Sequence, residues 1–178
     1  MNCIYTIGHS TRPIEEFVEL LHSYEISQLV DIRTIPKSRH NPQFGQEEMQ
    51  KSLEEVGIKY VYLKELGGLR PATKDSVNVG WHNLSFRNYA DYMQTVEFTE
   101  GVEALIKISK SMTTAIMCAE AVPWRCHRSL VSDALLVRSI EVCEIIAKGN
   151  IREHSLTSFA EVDGTTITYP IPDLESDK

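Results

Sequence analysis

The residues of this chain whose types could do chemistry gather in one short stretch, Met117 to Ser129, MCAEAVPWRCHRS. It holds two cysteines, Cys118 and Cys126, a carboxylate, Glu120, an imidazole, His127, and two guanidinium groups, Arg125 and Arg128. Cys126 stands beside Arg125, His127 and Arg128, and neighbouring cations depress a thiol pKa and favour the nucleophilic thiolate. Cys118 closes a short apolar run and faces a loop, a placement that suits a nucleophile. Glu120, His127 and His9 are candidate proton carriers, because imidazole titrates near neutrality and carboxyl groups can be tuned by their surroundings. The plain alternative for both cysteines is packing, since free cysteine is among the most buried residue types. Cys3 and Cys143, inside strand-like runs, read as core, and His22, His82 and His154 as capping or core histidines.

A second group is cationic. Arg33, Arg39, Arg70, Arg125 and Arg128 stand close to the same motifs against an acidic background of net charge −7. Guanidinium groups recognise phosphate and carboxylate in a planar, bidentate way. Gly67 and Gly68 would let backbone N–H groups approach an anion, and Ser10 lies in a turn that could add a contact. The plain alternative is that these arginines pair with Asp31, Glu65, Glu120 and Asp133. A zinc site built from His9, Cys118, Cys126 and His127 has the right ligand types, but the spacing from Cys118 to Cys126 is not that of a common structural zinc motif. The stretch from Cys118 to Arg125 is similar to the phosphate loop of cysteine phosphatases, with one residue too many and without the glycines that turn such a loop inward. Gly8-His9-Ser10 lacks the glycine spacing of a dinucleotide fingerprint. No cofactor is called for.

These residues need elements to hold them. Cys3–Ile7, Gln28–Ile32, Ile58–Leu63, Thr114–Met117 and Val142–Ala147 are short β-branched or apolar runs bounded by turn residues, and read as five strands. Between them lie helical patterns: Ile14, Phe17, Val18, Leu20 and Leu21 after a Ser10 or Thr11 cap and Pro13; Gln46–Val56, stopped by Gly57; Phe86–Ser111, with a break expected near Gly101; and a last helix opened by Pro123, with Leu130, Val131, Ala134, Leu135 and Val137 on one face. Strands alternating with helices predict a single α/β domain over 1–178. Its mainly parallel, Rossmann-like sheet of about five strands carries helices on both faces. The core runs from about 3 to 154, and the tail from 155 to 178 adds a small hairpin around Asp163-Gly164 and a frayed DLESDK end. In a parallel sheet the strand ends share one edge, so Gly8-His9-Ser10, Asp31-Arg33, Gly67-Gly68-Arg70 and Cys118-Glu120 should form one rim, with the Lys37–His40 loop nearby. The polar excursion from Pro71 to Ser85 reads as a lid or irregular loop, with Trp81 and His82 either closing over a ligand or packing beneath it.

Composition bounds the rest. A chain of 178 residues, 42% hydrophobic and 24% charged, is that of an ordinary globular protein with room for one sizeable core. No run approaches the roughly 18 apolar residues that span a bilayer, and no signal peptide is visible, so no membrane association and a cytoplasmic location are expected. The four cysteines then read as reduced thiols. The acidic net charge argues against a globally basic nucleic-acid binder, although a local patch can coexist with it.

Taken together, YTIGHS (Tyr5 to Ser10), LVDIRTIPKSR (Leu29 to Arg39), the Asn41-Pro42-Gln43-Phe44 turn, ELGGLR (Glu65 to Arg70) and CAEAVPWRCHR (Cys118 to Arg128) resemble the domain-of-unknown-function family DUF488. The resemblance runs from about Ile4 to His154 and implies a cytoplasmic, mainly prokaryotic α/β domain whose motifs gather Arg, Cys, His and Glu; it attaches no reaction. The residues themselves suggest an enzyme acting on a phosphorylated, nucleotide-like or nucleic-acid substrate. In it Ser10, Arg33, Arg39, Gly67, Gly68, Arg70 and Arg128 would bind, Cys118 or Cys126 would be the nucleophile, and His9, Glu120 and His127 would move protons. The alternatives are a non-catalytic module binding an anionic small molecule or nucleic acid, and a zinc-binding domain. A homo-oligomer is compatible with the apolar helix faces.

Overall fold

A computed structural model describes residues 3–172. The five sequence-predicted strands are all present, as β1 (Cys3–Gly8), β2 (Gln28–Asp31), β3 (Lys59–Tyr62), β4 (Thr114–Cys118) and β5 (Glu141–Ala147), and all five run parallel. A sixth, β6 (Asn150–Glu153), folds back antiparallel on β5. The sequence reading missed it because its four residues are all exposed and show no apolar alternation, while Gly149, at φ +72, supplies the tight turn that lets it return. A separate two-stranded hairpin, β7 (Glu161–Asp163) and β8 (Thr166–Thr168), turns at Gly164 as expected. The terminal DLESDK lies outside the described residues.

The sheet order is β3-β2-β4-β1-β5-β6. This departs from the Rossmann order by placing β4 between β1 and β2, so the catalytic-looking stretch leaves the centre of the sheet. Helices α1 (Ile14–Ser23) and α2 (Gln46–Glu55) cover one face, where Phe17, Leu21, Met49 and Leu53 are fully buried. Each such side chain withdraws enough apolar surface to contribute about 1.5–3 kcal/mol. Helices α3 (Leu84–Tyr92), α4 (Val96–Ser109) and α5 (Arg128–Leu136) cover the other face, around Tyr89, Phe98, Val102 and Leu130. Strand β4 sends its chain to α5 on the second face, whereas its neighbours β1 and β2 send theirs to α1 and α2 on the first. The connections therefore diverge at the carboxyl end of β4 and open a crevice there.

Three details of the sequence reading change. The break between α3 and α4 falls at Met93–Thr95, and Gly101 sits inside α4 against Glu65 and Leu66. The polar side chains that fix these helix starts are Asn83, which accepts from the Ser85 and Phe86 amides, and Thr95, which accepts from the Phe98 amide. Pro123 opens a short 3-10 turn, Pro123–Arg125, and α5 begins only at Arg128, so Cys126 lies in extended backbone before the helix. The excursion from Pro71 to Ser85 is tied down. Asp91 accepts from Thr73, Ser76 and Asn78, Trp81 packs on Phe86 and Phe159, and His82 is exposed.

Candidate functional site

A cavity of about 380 Å³ occupies the crevice beyond β4. Its walls come from the end of β2 (Arg33, Thr34, Ile35), the loop after β3 (Gly68, Leu69), the start of α3 (Ser85, Phe86), the end of β4 (Cys118, Ala119, Glu120) and the turn before α5 (Arg125, Cys126, His127). The expected rim therefore exists, and seven of the residues singled out in the sequence line it: Cys118, Glu120, Cys126, His127, Arg33, Arg125 and Gly68. Thr34, Ile35, Leu69, Ser85, Phe86 and Ala119 were not anticipated. Thr34, Ile35, Leu69 and Ala119 stand inside motifs already singled out, so that signal was available. Ser85 and Phe86 are brought in by the fold alone.

The backbone of the β4 exit is held against β1. The His9 amide donates to Cys118 O at 2.9 Å and the Ser10 amide to Ala119 O at 3.0 Å. Gly8 permits this approach, because a Cβ there would collide with the carbonyl of Glu120. His9 and Ser10 thus shape the loop and do not line the cavity. The His9 ring stacks on Phe44 with centroids 4.3 Å apart and donates from Nδ1 to Ser10 O. Burial pushes its pKa down to about 4, helped by the Arg33 charge, so it is a neutral core histidine.

The arginines are mostly engaged. Arg33 makes a bidentate pair with Asp31, at 2.9 and 2.7 Å, and donates to Phe44 O. Arg70 lies 3.6 Å over the Tyr92 ring and donates to the carbonyls of Lys64, Glu65 and Gly67. Arg39 is exposed and away from the cavity. Gly67 donates its N–H to Lys64 O, and the missing Cβ atoms of Gly67 and Gly68 make room for Thr34 and for the His127 ring. Only Arg125 brings an exposed cation to the cavity wall.

Arg128 differs. It is 0% exposed, and none of its charge meets a carboxylate within ion-pair distance among the described residues. Its Nε donates to Cys118 Sγ at 3.0 Å, Nη1 to Thr6 Oγ1 at 3.2 Å and Nη2 to Glu120 O at 2.8 Å. Burial lowers its pKa to about 10, against which Glu144 and Glu120 favour the charge, so the guanidinium stays protonated at neutral pH.

The sulfurs of Cys118 and Cys126 point at each other, with Cα atoms 7.4 Å apart. At that separation a disulfide would need the backbone to move closer, so the pair can exist as two thiols. Eight residues separate the two in sequence, and the turn at Pro123 brings the helix start back over the strand end. Cys3 and Cys143 are free, with their sulfurs 2.7 Å apart across β1 and β5. Burial, reinforced by Cys143, pushes the Cys3 thiol up to about 12, which makes it unreactive.

His127 completes the site. Its Nε2 donates to Ile32 O at 2.9 Å, which leaves Nδ1 as the unprotonated nitrogen of the neutral ring, 3.4 Å from Cys126 Sγ. Burial drives its pKa down to about 4, and the positive charges of Arg128 and Arg70 act in the same direction. The ring is thus neutral, with the Nδ1 lone pair facing one of the two sulfurs. His9, Cys118, Cys126 and His127 do not converge as a metal site, since His9 points away onto Ser10. No group of three or more His, Cys, Asp or Glu among the described residues is placed to hold a metal ion.

The family model for the domain of unknown function DUF488 matches residues 13–135, from the start of α1 to the end of α5. The chain belongs to the DUF488 family. The matched span contains the cavity lining and the Cys118–Arg128 stretch, while YTIGHS and the elements after α5 fall outside it. No curated protein and no solved structure matches the chain. No helix among the described residues is long and apolar enough to cross a membrane.

Proposed function

We propose that this DUF488 protein is a cysteine-dependent enzyme in which the reduced Cys118 acts as a thiolate nucleophile on a substrate with an apolar body. The carrying observation is the buried Arg128 guanidinium, whose Nε points at Cys118 Sγ with no carboxylate within ion-pair distance among the described residues. A buried cation with only distant carboxylates is costly, and the acceptor in direct contact that can become an anion is the Cys118 sulfur. His127 serves as the base for Cys126, and Glu120 stands at the rim where it can exchange protons with solvent.

Ile35, Leu69, Phe86 and Ala119 give the cavity an apolar wall, and Ile35 and Leu69 stay 60% and 69% exposed at its mouth. An apolar substrate body would cover them. A phosphorylated, nucleotide-like or nucleic-acid substrate has weaker support, because Arg33, Arg70 and Arg128 have their donors engaged within the protein and only Arg125 faces outward. The same fact weakens the reading of a non-catalytic anion-binding module.

The test is iodoacetamide labelling of the reduced, native protein over pH 5–9, with each cysteine followed by peptide mass spectrometry. Cys118 should label with a midpoint well below the ordinary thiol pKa of about 8.5. In Arg128→Met its rate at pH 6 should drop at least tenfold, and Arg128→Lys should retain part of it. Labelling of wild-type Cys118 that rises only above pH 8.5 would remove the thiolate and the proposal with it.

A further inference from the structure

We infer that Cys118 and Cys126 form a redox-active pair that exchanges electrons with an organic disulfide or dithiol held in the cavity, with Cys126 as the resolving thiol. This rests on the proposed role of Cys118 and extends it by naming the substrate class. Three observations carry it. The two sulfurs face each other, with Cα atoms 7.4 Å apart, so a small backbone shift at the turn before α5 lets a Cys118–Cys126 bond close. Both residues line the same cavity although they are only 3% and 5% exposed, so a reagent reaches them through the pocket. Their surroundings also differ in the way a nucleophile and a resolving thiol require. Cys118 faces the guanidinium of Arg128, whereas Cys126 faces the unprotonated Nδ1 of His127.

The steps balance without an outside oxidant. The Cys118 thiolate attacks one sulfur of a substrate disulfide; a Cys118–substrate bond forms, the substrate S–S bond breaks, and the first substrate sulfur leaves as a thiolate. His127 Nδ1 then takes the Cys126 proton, and the Cys126 sulfur attacks Cys118. The Cys118–Cys126 bond forms, and the second substrate thiolate leaves with the proton from His127. Two electrons have passed from the protein pair to the substrate, and the protein is left as the Cys118–Cys126 disulfide. A thiol or dithiol restores the reduced pair by the reverse path. Because Arg128 stabilises the Cys118 thiolate and has no such anion beside it in the disulfide, the pair favours the reduced form, and the reverse path, in which its disulfide oxidises a dithiol substrate, is the downhill direction.

The experiment equilibrates the full chain, carrying Cys3→Ser and Cys143→Ser to silence the other two thiols, in buffers of defined reduced-to-oxidised glutathione ratio. The redox state is trapped with a maleimide mass tag. The pair should titrate as a single two-electron couple between intramolecular disulfide and dithiol. Arg128→Met should move the equilibrium at least tenfold toward the disulfide, and Cys126→Ser should arrest the protein as a glutathione adduct on Cys118. A reactive low-pKa Cys118 that gives the same glutathione adduct whether or not Cys126 is present would overturn the redox pair and leave the nucleophile standing. A Cys118 with ordinary thiol reactivity would remove both.

Discussion

Two histidines sit at opposite ends of α5, and the protein drives them in opposite directions. His127, just before the helix, is held neutral with a pKa pushed down to about 4. His154 docks against Asp133, near the other end, and is pushed up to about 9. Burial lowers both. At His154 it is outweighed by hydrogen bonds to Asp133 Oδ1 and Glu144 Oε1, each 2.8 Å long, and by the charges of those carboxylates. His127 faces the backbone carbonyls of Ile32 and Leu66, the Tyr89 ring, a sulfur and two cations, with no carboxylate. The Asp133 region closes its charges on itself: Tyr169 and Thr157 also donate to Asp133, and Arg152 pairs with Glu144. The Arg128 region leaves a cation whose natural partner is a sulfur on a cavity wall. A buried network complete within the protein has nothing left to offer a ligand, whereas one completed by a titratable nucleophile is poised for chemistry.

The contrast breaks most sharply at Asp133. Asp133→Ala removes the acceptor of His154, Thr157 and Tyr169 together, and leaves an imidazolium with one carboxylate fewer. Loss of one partner of a buried ionic cluster costs about 3–5 kcal/mol. Urea denaturation should register a loss of that size, with β7, β8 and the segment around Tyr169 loosening first in hydrogen exchange. A loss below about 1 kcal/mol would mean that the cluster does not hold the C-terminal segment to α5.

Acidity and alkalinity should strike the two regions separately. The folded His154 pKa of about 9 exceeds the ordinary 6.5, so the folded protein holds a proton that the unfolded chain releases. Its contribution, about 3 kcal/mol at most at 1.36 kcal/mol per pKa unit, is full below pH 6.5 and is lost as pH rises to 9. His127 and His9, both near 4, have the opposite sign: stability is full above pH 6.5 and falls as the pH drops toward 4. Denaturant midpoints measured from pH 4 to 9.5 should therefore peak near pH 6.5. His154→Gln should flatten the alkaline limb and leave the acid limb. An alkaline limb unchanged in that variant would place its origin elsewhere.

How legible these regions were in the sequence follows from how each is built. The rim was readable because strand ends in a parallel sheet must share an edge, and Cys118, Cys126 and His127 are close in sequence. The arginine roles were not, since Arg33 and Arg128 differ only in what surrounds them: Asp31, two residues away, claims the first, while the partners of the second come from β1 and the β4 exit. The Asp133–His154–Glu144 cluster joins α5, β5 and the chain after β6, and no spacing announces it. His154 was read as a capping or core histidine for that reason, and its placement among buried residues agrees with this while adding a charge. Exposed β6 carried no alternation, and Ser85 and Phe86 reach the cavity only because Asn83 fixes where α3 starts.

The finest probe of the comparison is Gly68, which touches only the His127 region. A Cβ at this position would lie 2.5 Å from His127 Nδ1 and 2.7 Å from Cγ, too close for either atom to stay where it is. Gly68→Ala must then displace the ring, and overpacking of this kind costs about 1–3 kcal/mol. The displaced nitrogen is the one that faces Cys126, so the effect on chemistry should differ between the two sulfurs. Cys118, held by Arg128, should keep its low-pH alkylation, while the step that needs Cys126 deprotonated should slow several-fold. The Asp133 cluster should be untouched, with the alkaline limb of the stability profile as in the wild type. Equal loss of reactivity at Cys118 and Cys126 would mean that His127 and Arg128 act as one unit, and the separate roles given to the two sulfurs would be wrong.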